Sequence, residues 1–293
     1  MNSPAEVPKS SPGEAIRAAN RPVPPLVDVQ SQFASAMERH KDDADFVTAL
    51  ARGLAVMMAL SEKRRRISIA QVSHVTGIPR AAARRSLHTL VKLGFVAMDD
   101  ANQFYLRPRI LSLSHAYLSA SPLAMLSQPI LDKLGEDIGE SCSLAVLDSD
   151  EIVYLARSSA SRVISPSLNV GRRIPAYCTS IGRILLAHLP DDELDFYLQN
   201  ATLRAYTEHT TTDRGELRAI LMKARADGFA FSREQLEPRL SSLAVPVRDT
   251  SGQYVAGINV LLPGRPPSSQ EAAKRYFHPL NEAANALGHL LML

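Results

Sequence analysis

The chain has 293 residues, of which 45% are apolar and 22% are charged, and it carries a net charge of +3. This length and composition predict about two domains of ordinary globular type. The apolar run 53–60 is far shorter than the roughly 20 residues that span a bilayer, and no secretory signal is evident. The two cysteines lack CxxC spacing, which argues against a disulfide framework or a zinc site and favours a reducing cytoplasm.

The N-terminal stretch is rich in proline, with six prolines among its first 25 residues. Such a composition cannot bury a core, so residues 1–44 are predicted to be a mostly disordered arm. Order is expected to begin near Asp45. A first amphipathic helix, ending near Ser61, is then indicated by the apolar stripe Phe46, Leu50, Gly53, Leu54 and Met57.

Positive charge is concentrated between residues 61 and 107. This segment holds nine lysines and arginines against three acidic residues, a net +6, so the rest of the chain carries −3. A basic segment on a nearly neutral chain indicates a polyanionic partner. The alternative is an ordinary charged surface exposed to solvent, and charge alone does not separate the two.

The middle of this basic segment has the pattern of a helix-turn-helix. Ser68 and Gln71 match a capping box that begins a short helix. Gly77 can adopt the left-handed conformation that ends this helix, and Pro79 suits the first turn of a second one. The second helix is expected to stop at Gly94.

The second helix has an apolar face and a basic face. Its inward positions are Ala83, Leu87, Leu90 and Val91. At about 100° per residue, the opposite face carries Ala81, Arg84, Arg85, His88 and Lys92. Two short strands around a polar turn at 99–102 then predict a β-hairpin. Residues 45–107 are therefore predicted to form a winged helix-turn-helix domain.

In such a domain the second helix enters the major groove of DNA, where base edges are exposed. Small side chains allow a close approach, and arginines can reach guanine or phosphate oxygens. The predicted partner is therefore double-stranded DNA, although similar helix pairs occur in proteins that do not bind DNA. The candidate DNA-binding residues are Ser68, Arg80, Ala81, Ala82, Arg84, Arg85 and His88.

A linker helix is predicted over 108–121, with an apolar stripe formed by Ile110, Leu113, Tyr117 and Leu118. This stripe packs either against a partner chain or within the chain itself. From residue 122 onward, amphipathic helices accompany hairpin strands such as "CSLAVLD" and "EIVYLARS". The predicted fold class is α+β, with an antiparallel sheet and helices on one side over residues 122–293.

Catalytic and metal chemistry find little support in this second domain. Cys178 and His188 invite interpretation as a nucleophile and its base, but they fall at opposite ends of one helix, and cysteine is commonly a small packing residue. The eight histidines show no metal-binding spacing. We therefore expect no catalytic residue, no metal and no cofactor.

A site for a small acid is the stronger hypothesis. In "AYCTSIGR", Thr179 or Ser180 can cap a helix whose first amides and dipole seat a carboxylate, and Gly182 keeps the first turn open. Further hydroxyls, a charge and an amide are available from Ser165, Ser167, Ser241, Ser242, Arg162, Arg239 and Asn259. Each residue alone is equally well explained as an ordinary cap or surface residue.

Together these segments are similar to IclR-type transcriptional regulators, from about residue 46 to residue 290. "TGIPRAAARRSLHTLVKLGFV", "VGRRIPAYCTSIGRILLA" and "LAVPVRDTSGQYVAGINV" resemble the branch that regulates the β-ketoadipate pathway and the entry of aromatic acids such as protocatechuate and 4-hydroxybenzoate. The resemblance implies a linker helix, a GAF-like effector domain, dimers or dimers of dimers, and no catalysis. It also implies DNA contacts from the helix 80–88 and effector contacts from Ser180, Ile181, Ser232, Leu240, Ser242 and Asn259.

The chain departs from this branch at "QLEPRLSS". The branch usually has a Glu-Leu-Glu-x-Gly-Leu-Arg-Ser-like stretch there, whereas this chain has Arg239 in place of the glycine and Ser241 in place of the arginine. If that arginine faces the carboxylate of the effector, the positive charge has moved by two residues or has been lost and replaced.

The sequence therefore predicts a DNA-binding transcriptional regulator controlled by a small organic acid of aromatic catabolism. The alternatives are a regulator that senses an unrelated small carboxylate, an enzyme that uses Cys178 or Thr179, and an interaction module that does not bind DNA. The full predicted effector site comprises Arg162, Thr179, Ser180, Ile181, Ser232, Arg239, Leu240, Ser242 and Asn259.

Overall fold

The computed structural model describes residues 29–61, 66–158 and 169–291. The chain divides into two compact units, of which the first ends at Arg107 and the second begins at Pro108. Within the described ranges, no helix combines the length and the apolar character that crossing a membrane would require.

Within the described residues, the first unit contains four helices and one hairpin. Its elements are α1 (Val29–Arg39), α2 (Thr48–Ser61), α3 (Ile69–Thr76), α4 (Arg80–Lys92), β1 (Val96–Met98) and β2 (Phe104–Leu106). The two strands are antiparallel, with Val96 opposite Leu106, and the turn at 99–102 connects them as predicted. The helix-turn-helix with its wing is thus present in the order that the sequence indicates.

Helix α1 corrects the prediction of a disordered arm over 1–44. Val29 is only 4% exposed and joins the core of this unit, and Phe33 packs against that core. Val29, Phe33 and Met37 follow an i, i+4, i+8 stripe, which is sufficient to bury one face of a helix. Order therefore begins before Asp45, and the first 28 residues lie outside the described part.

The turn between α3 and α4 is built as the sequence indicates, with one difference. Ser68 and Gln71 form both hydrogen bonds of the capping box, and Gly77 has a φ of 69° at the end of α3. Ile78 is 1% exposed and fills the space between the helices. Pro79 is the N-cap of α4 and not part of its first turn, because its ψ of 140° is extended.

The second unit contains a six-stranded sheet and six helices within the described ranges. A short 3₁₀ turn at Pro108–Ile110 leads into α5 (Leu111–Ala120), α6 (Pro122–Ile138), β3 (Cys142–Asp148), β4 (Glu151–Arg157), β5 (Arg173–Pro175), a 3₁₀ turn (Ala176–Cys178), α7 (Ser180–Ala187), α8 (Asp191–Asn200), α9 (Arg214–Asp227), β6 (Ala230–Arg233), β7 (Leu240–Arg248), β8 (Tyr254–Pro263) and α10 (Ser269–Leu290).

The sheet is antiparallel, with the strand order β5-β4-β3-β8-β7-β6. The α+β class and the long hairpin strands confirm the prediction. The two edge strands, β5 and β6, were not predicted, because three or four residues give too little alternation to identify a strand. They extend the sheet on both sides and place the segment that follows β5 next to α7.

The prediction that helices cover one side of the sheet is wrong. Helices α6 and α10 pack on one face, around the core residues Leu144, Val245 and Ile258. Helix α7 packs on the other face, where Gly257 lies against Ile181. The central strands carry apolar or small residues on both faces, so the sheet is buried on both sides.

The expected linker segment, 108–121, contains the 3₁₀ turn, α5 and the N-cap of α6. Ser121 accepts a hydrogen bond from the Ala124 N–H and so begins α6. Leu113 and Tyr117 of the predicted stripe are 57% and 55% exposed, whereas Leu118 packs against the core of the second unit. The stripe is thus only partly covered within this chain.

Candidate nucleic-acid interface and effector site

Helix α4 presents a basic face to solvent because its opposite face is fully packed. Ala83 and Leu87 are entirely buried, and Leu90 is 7% exposed. The positions between them carry Arg80, Ala81, Arg84, Arg85 and His88, all exposed, while Ala82 is half-buried. No ion pair is formed by the three arginines with any other residue that the structure describes, so their guanidinium groups remain available to an anion.

The remaining candidate, Ser68, is the N-cap of α3. Its hydroxyl accepts the Gln71 N–H at 3.3 Å, and the Gln71 side chain accepts the Ser68 N–H at 2.8 Å. The wing is held by Arg66, which contacts the Asp99 carboxylate at 2.5 Å and lies over the Tyr105 ring at 4.6 Å. The hydrogen bond from the Gln103 backbone N–H, together with the one from Arg66, holds the pKa of Asp99 below its usual value.

In the second unit, the site candidates meet on the α7 side of the sheet. Thr179 caps α7 by accepting the Gly182 N–H at 3.0 Å. The Ser180 and Ser242 hydroxyl oxygens lie 2.7 Å apart, and the Ser232 hydroxyl donates to the Cys178 carbonyl at 3.2 Å. The start of α7 is therefore tied to strands β6 and β7 by hydroxyl groups.

The strand register explains how this face is assembled. Cross-strand partners share a face, so one row runs from Arg157 through Ser143 and Asn259 to Ala244. Their chain neighbours Leu144, Ile258 and Val260 point into the α6–α10 core. Ser242 is the diagonal neighbour of Asn259 on the same face, at a typical separation of about 7 Å. We call the side chains of Arg157, Ser143, Asn259 and Ser242 the polar row.

The polar row contains buried groups that lack a protein partner. Ser143 is 0% exposed and Asn259 is 2% exposed. Within the described ranges, neither the Ser143 hydroxyl nor the Asn259 Oδ1 has a hydrogen-bond partner. Each buried polar group left unpaired costs about 1–3 kcal/mol, so such groups call for an explanation such as a bound water, an ion or a ligand.

Tyr154 lies beside the polar row at the next position on this face of β4. Its hydroxyl is hydrogen-bonded by the Asn259 side chain, and burial raises its pKa well above the usual value. The charge of Arg157 lowers the pKa of this hydroxyl, whereas the charge of Glu237 raises it. Burial lowers the pKa of Arg157 from a very high value, and the nearby tyrosine opposes that change.

Sequence reasoning missed Arg157, Ser143 and Tyr154 because their proximity to Asn259 depends on strand register. The one sequence signal is a cation at the end of the otherwise apolar strand "IVYLAR". The two cations predicted for this site were Arg162 and Arg239. Arg162, Ser165 and Ser167 all lie outside the described residues.

Arg239 is exposed and lies in a tight turn, outside the polar row. Its φ of 61° is left-handed, which is the conformation that a glycine would adopt without strain. Its N–H donates to the Glu234 carboxylate at 2.6 Å. Ser241, at the position of the branch's arginine, pairs with Leu262 and so faces the α6–α10 side, opposite to Ser242. Leu240 is the half-buried first residue of β7.

Cys178 has no features of a nucleophile. It is 1% exposed, and burial raises the pKa of its thiol to about 12. Arg183, whose pKa burial lowers to about 10, is held by the Tyr177 carbonyl at 2.7 Å and the Gln235 side chain at 2.6 Å. Among the residues that the structure describes, no cluster of histidine, cysteine or acidic side chains could hold a metal ion.

Family models match both units of the chain. The IclR helix-turn-helix domain matches residues 49–100, and the C-terminal domain of bacterial transcriptional regulators of the IclR type matches residues 115–289. The protein is therefore a DNA-binding transcriptional regulator and not an enzyme. It belongs to the IclR family.

Individual relatives agree with this assignment. The Pca regulon regulatory protein of Pseudomonas putida is 43% identical, and the match covers 99% of this chain and 97% of that protein. The crystal structure of a transcriptional regulator from Rhodococcus sp. RHA1 is 41% identical with a TM-score of 0.71, covering 84% of this chain and 98% of that one. The inducer-binding domain of PobR from Acinetobacter, a double mutant in complex with 3-hydroxybenzoic acid, is 27% identical with a TM-score of 0.54, covering 57% and 98%.

Proposed function

We propose that this regulator reads its operator with the exposed face of α4 and responds to a small aromatic acid bound at the polar row. The buried Ser143 hydroxyl and Asn259 Oδ1, which have no hydrogen-bond partner among the described residues, carry the second part of this proposal. The first part rests on the arginines of α4, which stand clear of the core and of acidic partners among the described residues.

The DNA contact is assigned to Ser68, Arg80, Ala81, Ala82, Arg84, Arg85 and His88. Arginine at a major-groove helix pairs with guanine O6 and N7 or with phosphate, and two small alanines let the backbone come close. Ser68 begins the preceding helix, where a hydroxyl and free amides suit a phosphate. The acidic wing tip at Asp99 and Asp100 is less suited to phosphate, so we place most of the contact on α4.

A salt titration tests this assignment. Arg84→Ala with Arg85→Ala should weaken binding to a duplex selected by the wild type from a random library by 10- to 100-fold, on the order expected for two arginine contacts. The slope of log K against log salt should fall by about 2 if both arginines meet phosphates. Fluorescence anisotropy at several salt concentrations measures both quantities.

The matched control removes the same charge elsewhere. Lys133→Ala with Lys274→Ala takes two exposed cations from the second unit and should leave affinity and slope nearly unchanged. Equal behaviour of the two double variants would show that α4 contributes only through net charge. Unchanged affinity of the α4 variant would contradict the assignment outright.

The effector is assigned to the aromatic acids because of the relatives. The PobR inducer-binding domain is complexed with 3-hydroxybenzoic acid, and the Pseudomonas putida relative regulates a Pca regulon. The start of α7 offers backbone amides to a carboxylate, and the serine pair borders the same space. Ser180, Ile181, Ser232, Ser242 and Asn259 thus remain the predicted contacts, with Thr179 as the cap and Leu240 at the margin.

A thermal-shift screen of the full chain tests this part. The acids are 3-hydroxybenzoate, 4-hydroxybenzoate and protocatechuate, with β-ketoadipate and muconate as non-aromatic acids. A ligand at 100 times its Kd stabilises the folded state by about 2.7 kcal/mol, which gives a clear shift. Stabilisation only by the non-aromatic acids would replace the aromatic effector with another small carboxylate, and no stabilisation by any acid would contradict the effector site.

We further propose that the regulator acts as a homodimer or a dimer of dimers in the cytoplasm. The exposed Leu113 and Tyr117 of α5 supply an apolar surface for a second copy. Two copies would present two α4 helices to successive major grooves. An acid can then change operator binding only if it binds one arrangement of the dimer more tightly than the other.

A further inference from the structure

We propose that the buried guanidinium of Arg183 is the positive charge that attracts the carboxylate of the acid to the start of α7, where backbone amides bind it. Arg183 acts through space and does not itself touch the acid. This inference rests on the proposed function and adds which end of the acid lies at α7.

The charge of Arg183 is not balanced by a neighbouring carboxylate. Arg183 is 3% exposed and is the one buried lysine or arginine among the residues that the structure describes. Its guanidinium donates to the Tyr177 carbonyl at 2.7 Å and to the Gln235 side-chain oxygen at 2.6 Å, and both acceptors are neutral. Glu216 of α9 acts on it from an exposed position. Burial lowers the pKa of Arg183 to about 10, so the group stays charged at neutral pH.

The position next to Arg183 that could hold a counter-charge is neutral in this chain. Gln235 stands where the stretch of the branch that the chain resembles begins with a glutamate. Its side-chain oxygen accepts from Arg183 and from the Thr211 N–H at 2.8 Å, and its amide donates to the His209 carbonyl. Buried charges are normally paired. We therefore infer that the missing anion comes from a ligand.

The start of α7 adds positive potential of its own. Arg183 is the fourth residue of α7, about 4.5 Å along the axis from Ser180, and its hydrogen bond to the Tyr177 carbonyl turns the guanidinium toward the helix start. Ser180 and Ile181 are both 0% exposed, and their N–H groups have no hydrogen-bond partner among the described residues. The helix dipole has the same sign at this end. An anion bound by these amides would thus be stabilised by the charge behind them.

Arg172 is a competing cation on the same face of the sheet. It precedes Arg173, whose cross-strand partner Val153 packs on the α6–α10 core, so Arg172 faces the α7 side. Its Nε is buried and has no hydrogen-bond partner in the described ranges. It adjoins β5, however, which is four strand spacings from β7, about 19 Å. The start of α7 lies at β7, through the contact of its first residue with Ser242.

Two further arginines are also less well placed than Arg183. Arg157 belongs to β4, three strand spacings from β7, about 14 Å, and it already interacts with Tyr154. Arg239 is exposed in its turn. A carboxylate at the start of α7 therefore has Arg183 as its nearest buried cation.

Calorimetry on the full chain measures the effect of charge, because each acid has an uncharged counterpart of nearly the same shape. The probes are 3-hydroxybenzoate, 4-hydroxybenzoate and the amide of each. The wild type should bind the better acid at least about tenfold more tightly than its amide, as expected for one nearby unit charge at an intermediate dielectric. A change in the shape of the site alters both affinities, whereas a change in its charge alters their ratio.

Two substitutions at Arg183 separate charge from packing. Arg183→Gln and Arg183→Lys both alter the hydrogen bonds to Tyr177 and Gln235, but only lysine keeps the cation. Arg183→Gln should reduce the ratio of acid to amide affinity by about tenfold, and Arg183→Lys should keep it within about threefold. Operator binding by each variant reports that the chain is folded.

Gln235→Glu tests the same charge without altering Arg183. The added carboxylate keeps the acceptors for Arg183 and the Thr211 N–H and gives up the donor to the His209 carbonyl. Because it supplies a counter-charge from within the chain, the ratio of acid to amide affinity should fall by about tenfold. Gln253→Glu is the control, since it adds the same charge at an exposed position in the turn between β7 and β8 and should leave the ratio unchanged.

Arg172→Gln removes the competing cation and should also leave the ratio unchanged. Retention of the acid preference in Arg183→Gln or in Gln235→Glu would overturn the inference while the proposed function stands. Its loss in Arg172→Gln instead would place the carboxylate at the β5 edge. A wild type that binds hydroxybenzoates and their amides equally well would overturn the inference alone, and binding of no hydroxybenzoate would overturn the aromatic effector together with it.

Discussion

The basic helix α4 and the polar row place polar side chains in opposite ways. On α4 the three arginines lie within the six residues 80–85 of one continuous helix, and they are exposed. In the polar row, Ser143 precedes Arg157 by 14 residues and Asn259 by 116, and both Ser143 and Asn259 are buried. A surface for a large polyanion can be displayed by local structure alone, whereas a pocket for a small acid requires several strands to meet.

The energetic consequences differ in the same way. The α4 arginines interact through solvent, so their contribution to binding depends on salt and arises from several moderate contacts. A polar group in the buried row is worth more when paired and costs more when unpaired, because the local dielectric is low. A small displacement of a side chain should therefore change binding little on α4 and strongly around the polar row.

The sharpest test of this contrast compares two helical glycines. Gly182 lies in the first turn of α7, and an added Cβ would overlap the backbone of Ala176. Gly182→Ala should lower the free energy of unfolding by about 3 kcal/mol, because the backbone must shift. Chemical denaturation followed by circular dichroism measures the change, and acid binding should be lost with it.

Gly53 in α2 is the matched control. Nothing lies within 4 Å of an added Cβ there. Gly53→Ala should raise the free energy of unfolding by about 0.5–1 kcal/mol, since alanine is the better helix former. Similar losses in both variants would mean that the start of α7 is no more constrained than an ordinary surface helix.

The α4 unit could be predicted from sequence because its determinants are local. The capping box at Ser68 and Gln71, the left-handed Gly77 and the buried Leu87 are all set by neighbours within a few residues. The same holds for the wing, whose polar turn separates two short apolar runs. The prediction was wrong at α1. Its apolar stripe has three residues and follows a proline-rich segment, so the whole stretch was assigned to a disordered arm.

The second site could be predicted only in part. The cap at Thr179 and the hydroxyls of Ser180 and Ser242 were found from local patterns and from the family resemblance, and they lie together. Arg157 and Ser143 could not be found, because a shift of one residue in register would turn either side chain to the other face. Two short edge strands and the second layer of helices likewise depend on packing that no single segment encodes.

An intermediate effect is expected at Ser68, which combines a cap with a proposed DNA contact. Ser68→Ala removes the hydroxyl that accepts the Gln71 N–H and should lower the free energy of unfolding by about 1 kcal/mol. Ser68→Asp keeps a good cap and adds a negative charge. The aspartate variant should thus retain stability yet bind operator DNA about tenfold more weakly in an anisotropy titration.

The two substitutions separate the roles of Ser68. If Ser68 serves only as a cap, the aspartate variant will bind DNA as the wild type does. Thr179→Ala at the start of α7 is the counterpart in the second unit, since Thr179 accepts the Gly182 N–H. It should cost a similar free energy of unfolding and weaken acid binding without changing operator affinity in the absence of acid.

The smallest effect concerns His188 at the end of α7. Burial lowers the pKa of His188, aided by the positive charges of Arg225 and Arg248 and opposed by the hydrogen bond to the Ile184 carbonyl. Its ring also packs on Tyr254, with the centroids 3.9 Å apart. As the pH falls through about 6.5, the unfolded chain takes up a proton that the folded chain does not. The free energy of unfolding should therefore decrease between pH 7.5 and pH 5.5.

His188→Gln removes the group that takes up this proton. Its free energy of unfolding, measured by urea denaturation at each pH, should therefore decrease less over the same interval. His278→Gln is the control, since the His278 side chain is 81% exposed and should leave the wild-type dependence in place. A full decrease in His188→Gln would assign the acid sensitivity to other groups of the chain. A reduced decrease would show that even the far end of α7 is packed too tightly to admit a charge, unlike the open face of α4.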